Sequence, residues 1–171
     1  AYLKPSNPGM EDKFGWSVAI HGDTIVVGAH NEDSAATGIN GNGNDNSASN
    51  AGAAYVFVRN GTTWTQQAYL KASNAETNDL FGQAVSIWGD VAVVGAYGED
   101  SESVLIDGDE ALNGLNNAGA VYVFVRSGTT WSQEAYVKPS SNTVSGFSGA
   151  RFGESLALYC DTLVVGASSH D

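Results

Sequence analysis

Apolar residues along this chain come in short bursts separated by glycine, asparagine and charge. Ile25-Val26-Val27 is one such burst and Tyr55-Val56-Phe57-Val58 is another. Runs of this length between turn formers read as strands, and nothing reads as a helix of useful length. The first stretch of chain predicts four strands: A over 15–20, B over 24–29, C over 53–59 and D over 63–71. B is apolar through its centre, as a strand covered on both faces should be. D mixes Trp64, Gln66, Gln67 and Tyr69, which suits an outer strand facing water. A turns into B at His21-Gly22-Asp23, and C into D at Asn60-Gly61-Thr62. Glycine and asparagine supply the positive backbone angles that tight hairpins need. Asn60-Gly61-Thr62 also fits a glycosylation sequon, but the matching Ser127-Gly128-Thr129 shows that the turn is the requirement.

The whole pattern then recurs 67 residues on. Phe14-Gly15 returns as Phe81-Gly82, and Val26-Val27-Gly28-Ala29 as Val93-Val94-Gly95-Ala96. Tyr55-Val56-Phe57-Val58-Arg59 returns as Tyr122-Val123-Phe124-Val125-Arg126, and Gly61-Thr62-Thr63-Trp64 as Gly128-Thr129-Thr130-Trp131. A third copy starts at Phe152-Gly153 and reaches Val164-Val165-Gly166-Ala167-Ser168. Ala1-Tyr2-Leu3-Lys4 matches the end of strand D, at Ala68-Tyr69-Leu70-Lys71 and Ala135-Tyr136-Val137-Lys138. Such self-similarity marks a repeat architecture, in which one unit cannot bury its apolar face without its neighbours. The chain divides into a strand D equivalent with its connection (1–13), a first repeat (14–80), a second (81–151) and a partial third (152–171) that carries A and B.

Connection lengths alternate. B to C spans 31–51 and 98–118, and D to A spans 73–80 and 140–151. In an up-and-down antiparallel sheet these longer connections all lie at one end, so they gather on a single face. Most of the 19 acidic residues fall in them, and function usually sits on loops clustered on a rigid scaffold.

With 7 basic residues against 19 acidic, the formal charge is −12. A chain this acidic lacks the basic footprint that phosphate backbones require, so nucleic acid is excluded as an expected partner. No apolar run is long enough to span a membrane, and membrane insertion is not expected. The chain has no initiator Met and no signal-peptide core, which reads as a mature or trimmed piece of a larger secreted protein. A single cysteine, Cys160, rules out an intramolecular disulfide framework.

Phe14-Gly15-Trp16-Ser17-Val18-Ala19, Val26-Val27-Gly28-Ala29 and Gly52-Ala53-Ala54-Tyr55-Val56-Phe57 together resemble the FG-GAP repeats of the integrin α-subunit β-propeller, in the variety common in bacterial surface and secreted proteins. The resemblance covers essentially the whole chain. It implies an all-β fold built from propeller blades of four antiparallel strands, here an incomplete propeller of about two and a half repeats. It also implies an extracellular or cell-surface setting, and binding rather than catalysis. Two departures stand out. The third residue of the GAP signature becomes His30, Tyr97 and Ser168. The calcium loop that many members carry between A and B has shrunk to Gly22-Asp23, Gly89-Asp90 and Cys160-Asp161, too short to wrap six or more oxygens around the ion.

The long loops offer a different candidate metal site. Asp33, Asp100 and Asp171 share one position after the Gly-Ala turn, with Glu32, Glu99 and His170 just before them. Further on, Asn40-Gly41-Asn42-Gly43-Asn44-Asp45 lies opposite Asp107-Gly108-Asp109-Glu110. Oxygen side chains alternating with glycine can aim hard ligands inward, so calcium bound by Asp33, Asp45, Asp100, Asp107 and Asp109 is one reading. The other is that Asn, Asp and Gly form turns, and that Asp33 and Asp100 brace the loop base by accepting backbone N–H bonds.

Phe14, Phe81 and Phe152 are expected between blades, with the glycines after them permitting close backbone approach. Trp64 and Trp131 are read as lids over the blade core, and Trp16 and Trp88 as ordinary packing, with sugar stacking as the other reading. The histidines are His21, His30 and His170, none recurs between copies, and the common nucleophile, zincin and phosphate-loop motifs are absent. The expectation is a non-enzymatic module that binds an extracellular protein or glycan through its long-loop face. The alternatives are a unit that joins further copies of itself through open edges, and a scaffold part of a larger hydrolase or lyase.

Overall fold

The computed structural model describes residues 1–140 and 149–169, and within them the chain forms three antiparallel sheets and no helix. β1 (Ser17–His21), β2 (Thr24–Ala29), β3 (Ala53–Asn60) and β4 (Thr63–Leu70) make the first sheet in chain order. β5 (Ala84–Trp88), β6 (Val91–Ala96), β7 (Ala120–Ser127) and β8 (Thr130–Val137) repeat it. β9 (Phe152–Tyr159) and β10 (Thr162–Ala167) form a two-stranded third sheet. The fold is therefore all-β: propeller blades of four antiparallel strands, in an incomplete propeller of about two and a half blades.

Small differences from the sequence reading have local causes. β1 starts at Ser17 rather than residue 15, because Gly15 takes a φ of 92° and its N–H caps Gly28. β4 ends at Leu70, where the Lys71 N–H turns away to the Gly38 carbonyl. Ala1–Lys4 does not pair as a strand, although Leu3 packs against the Tyr55–Phe57 side of blade 1. The second D-to-A connection, His170 and Asp171 fall wholly or largely outside the described residues.

The main core lies between the first two blades. Val26, Val56 and Leu70 on the back of blade 1 meet Phe81, Val85, Ile87 and Val94 on the front of blade 2. The seam is tight enough to be backbone on backbone. Gly52 pairs with Phe81 in an isolated parallel bridge, and Gly119 repeats this with Phe152. A β-carbon on Gly52 would sit 2.1 Å from the Phe81 carbonyl oxygen, so this position needs glycine for space as well as for its φ of 83°.

Blade 1 has no neighbour over its own front face among the described residues. Val18 and Ile20 are 67% and 64% exposed there, whereas their counterparts Val85 and Ile87 are buried. The same outward positions explain why β1 alternates half-buried and exposed while β5 is largely buried.

Each four-stranded sheet carries one bulge between its third and fourth strands. Val56 pairs with Ala68 and Phe57 with Gln66, so Gln67 is the extra residue. The Gln67 Oε1 accepts bonds from Trp131 Nε1 (2.8 Å) and Arg126 Nη1 (3.3 Å) of blade 2. Bulges re-aim side chains, and this one points Gln67 across the seam. Trp131 is thus a link between blades rather than a lid over its own.

Candidate functional site: the braced long-loop face

The B-to-C and D-to-A connections do gather at one end of the sheets, tied by Asn78 N–H to Ser49 O (2.9 Å) and Leu80 N–H to Asn50 O (3.0 Å). Their base is a buried ion pair. β2 and β4 flank β3 and run the same way, so the residues just past their ends, Glu32 and Lys71, emerge together. Lys71 Nζ lies 2.9 Å from Glu32 Oε2, with side-chain exposures of 0% and 2%. The Ser34 N–H donates to the same oxygen (3.1 Å), while Asn7 Nδ2 (2.9 Å) and the Tyr69 hydroxyl (2.8 Å) donate to Oε1. Asn7 in turn accepts from the Tyr55 hydroxyl at 2.9 Å.

The second copy rebuilds the arrangement. Lys138 Nζ sits 2.6 Å from Glu99 Oε2, Asn74 Nδ2 donates to Oε1 (3.1 Å), and the Tyr122 hydroxyl donates to Asn74 Oδ1 (2.6 Å). One member differs in geometry: the Tyr136 hydroxyl is buried beside Glu99 and Ser101 without a well-formed hydrogen bond to either. Burial pulls the Lys71 and Lys138 ammonium groups below the usual lysine range, against the opposing pull of Glu32 and Glu99. Burial, reinforced by the same carboxylates, pushes the Tyr55, Tyr69 and Tyr136 hydroxyls up. A desolvated pair of this kind holds only when its remaining lone pairs are met, which ties both loop ends to one geometry.

The five candidate metal ligands are placed differently from a cage. Asp33 Oδ1 accepts the Asn50 N–H (2.8 Å), and Asp100 Oδ1 accepts that of Asn117 (2.7 Å), each spanning its loop. Asp107 Oδ1 accepts the Tyr136 N–H at 2.8 Å, as Asn40 Oδ1 does from Tyr69 at 2.9 Å. Asp45 and Asp109 accept N–H bonds two residues on, from Ser47 and Ala111 (3.0 Å each). Among the described residues, no three acidic, histidine or cysteine side chains converge on a point that could hold a metal. In this geometry the five carboxylates do not share one centre. An amide at position 40 doing the work of the carboxylate at 107 points the same way.

The face is also less charged than a count of acids suggests. Glu32 and Glu99 are neutralised underground, and Asp12 and Asp79 are buried. Burial raises the carboxyl of Asp79 to about 8, against the N–H of Glu76 (2.7 Å), and raises Asp12 in the same direction.

The second loop also shows aliphatic side chains to solvent. Val104 and Leu112 are 41% exposed and Leu105 is 64% exposed, close in sequence to Glu102, Asp107, Asp109 and Glu110. Elsewhere on the molecule Trp16 is exposed and packs against His30 at 4.7 Å. Trp88 lies between His21 and Tyr159, at 4.5 Å from each, at the inner hairpin turns of three successive blades. Cys160 is exposed and free.

Sequence reasoning missed the Glu32–Lys71 and Glu99–Lys138 pairs, counting the glutamates as surface charge. The signal was present: both residue types recur at the repeat period, on loops whose ends meet. Lys4 holds the same repeat position as Lys71 but is exposed, over the Tyr2 ring at 5.3 Å.

A family model described as FG-GAP repeat matches residues 1–57 and 64–124. Each match opens on the strand D segment or within β4 and closes in the third strand of the following sheet, so the family unit is cut at a different point from the blade. A search of the curated proteins found no match. Among the described residues no helix is long and apolar enough to cross a membrane.

Proposed function

Because the chain belongs to the FG-GAP repeat family, we propose that it is a non-enzymatic, extracellular or cell-surface binding module that engages a protein or glycan through its long-loop face. One observation carries this reading: each long loop is clamped at its base by a buried Lys–Glu pair, while its tip stands in solvent. Clamped loops keep their shape before a partner arrives, which lowers the ordering cost of association. The opposite end of the sheets offers only short hairpin turns, with little surface to vary.

The test compares two sets of variants on beads coated with the protein. Adhesion to immobilised extracellular-matrix proteins and to a glycan array is measured for substitutions at the loop tips (Asn42→Ala, Asn44→Ala, Leu105→Ala) and at the hairpin turns (Asp23→Ala, Arg59→Ala). Loss confined to the loop-tip set supports the reading. Loss confined to the hairpin set overturns it.

A second reading, self-association, has its own observation. The groove of about 430 Å³ lined by Leu3, Phe14, Val18, Ile20 and Ile25 is apolar, and its counterpart on blade 2 is sealed by another blade. Light scattering that finds a monomer at high concentration would remove this reading.

A further inference from the structure

The two long loops are built on one frame and differ in what they present. In both, position 40 or 107 is anchored twice to the fourth strand: N–H to the Tyr69 or Tyr136 carbonyl at 2.8 Å, and side-chain oxygen to that residue's N–H. In both, a serine hydroxyl closes the loop onto a carbonyl, Ser34 onto Asn42 (2.9 Å) and Ser101 onto Asp109 (3.0 Å). Around these anchors the first loop carries Thr37, Gly38 and Asp45 where the second carries Val104, Leu105 and Leu112. Gly38 exchanges backbone bonds with Lys71 and Ala72, while the Leu112 carbonyl accepts the Glu102 N–H at 3.2 Å. The shared anchors therefore do not need the aliphatics. Ile106 is exposed as well, where its counterpart Ile39 packs partly against the core.

Exposed aliphatic clusters on a rigid loop oppose solubility and are the mark of an interaction site. Residues 98–118 add a charge rule, since they contain six acidic residues and no lysine or arginine. Glu99 is spent on Lys138, and Asp100 on the loop backbone. Glu102, Asp107 and Asp109 are exposed beside the aliphatics in the chain, and Glu110 is half-buried there. An apolar centre with a rim of one sign selects a partner with the complementary rim.

We propose that Val104, Leu105 and Leu112 form a docking tip for a protein segment that carries an aliphatic or aromatic residue flanked by lysine or arginine. This rests on the reading of the long-loop face as the binding surface, and it names the partner's chemistry. An anionic membrane is disfavoured as occupant by the same acidic rim.

The experiment pans the full chain against a phage-displayed library of random dodecapeptides. Enriched peptides should pair apolar residues with at least two basic ones, and their binding should weaken as salt rises. The key variant is Val104→Thr/Leu105→Gly/Leu112→Asp, which installs the first loop's residues at the matching positions of the second. Synthetic peptides should bind it about tenfold or more weakly, with an unchanged melting temperature. Affinity within about twofold of the parent, enrichment of peptides without basic residues, or no enrichment at all overturns the proposal. So does variant-sensitive binding to phosphatidylcholine vesicles with no peptide binding. Peptide binding that fails only with Asn42→Ala/Asn44→Ala overturns the tip while leaving the long-loop reading intact. Binding that survives substitutions in both loops overturns both.

Discussion

Lys71 and Glu32 stand 39 residues apart in the chain and meet at 2.9 Å beneath the loop that separates β2 from β3. Lys138 and Glu99 meet at the same separation in the second copy. Losing one partner strands a buried charge, so Lys71→Met should cost about 3–5 kcal/mol in urea denaturation. Lys71→Met with Glu32→Gln should recover a large part of that loss, because the amide can still accept bonds from Tyr69 and Asn7. Equal stability for the single and double variants would contradict the pairing.

The tyrosines of the two copies should respond unequally. Tyr69→Phe removes a bond to a buried carboxylate and is expected to cost about 1.5–3 kcal/mol. Tyr136→Phe removes a hydroxyl that lies beside Glu99 and Ser101 outside good hydrogen-bond geometry, and should cost less than Tyr69→Phe. Matched losses in a pair of chemical melts would show that the copies are equivalent after all.

Asp79 makes stability depend on pH. Its carboxyl is raised to about 8 by burial, so between about 4 and 8 the folded chain keeps a proton that the unfolded chain has released. The stabilising contribution of the protonated group is full below the unfolded value and is lost as pH rises through 8. Asp79→Asn keeps an acceptor for the Glu76 N–H and should flatten this part of the profile. At neutral pH it should raise stability by about 1–3 kcal/mol. A gain that is the same at pH 4 and pH 8 would rule out the proton as its source.

Arg126 and Arg59 occupy one repeat position and should not be equally important. Arg126 reaches across the seam to Thr24 (3.0 Å) and Gln67, and its side chain is 16% exposed. Arg59 is 46% exposed and pairs with Asp23 of its own blade. Arg59→Ala should change stability by less than about 0.5 kcal/mol. Gln67→Leu should cost about 1–3 kcal/mol by orphaning the Trp131 N–H. A larger loss at Arg59 than at Gln67 would show that the seam is not where the clamp acts.

Melting curves in calcium and in chelator should overlay, since the five loop carboxylates each hold a backbone N–H and stand apart. A rise in melting temperature with calcium would mean that the loops regroup around the ion.

The strands and their hairpins were legible from the repeat. Phe14, Val26 and Tyr55 announce themselves by returning as Phe81, Val93 and Tyr122, and the hairpin turns follow from their glycines. The role of Asp33 and Asp100 as loop braces was also readable, because a carboxylate after a turn commonly binds its own loop. Trp131 was not. Its partner Gln67 reaches it only because a bulge displaces one residue of β4, and no local pattern marks a bulge that glycine does not fill.

The sequence by itself determined the repeat, the four-stranded unit, the alternation of short and long connections and the end at which the long ones gather. These follow from local rules: hydrophobic periodicity, turn chemistry and antiparallel geometry. Only the tertiary structure decided which acids face water. Glu32 and Asp107 look alike in the sequence, yet one is sealed against Lys71 and the other lies at the surface. That difference is set by desolvation, which depends on what packs above a residue rather than on its neighbours in the chain.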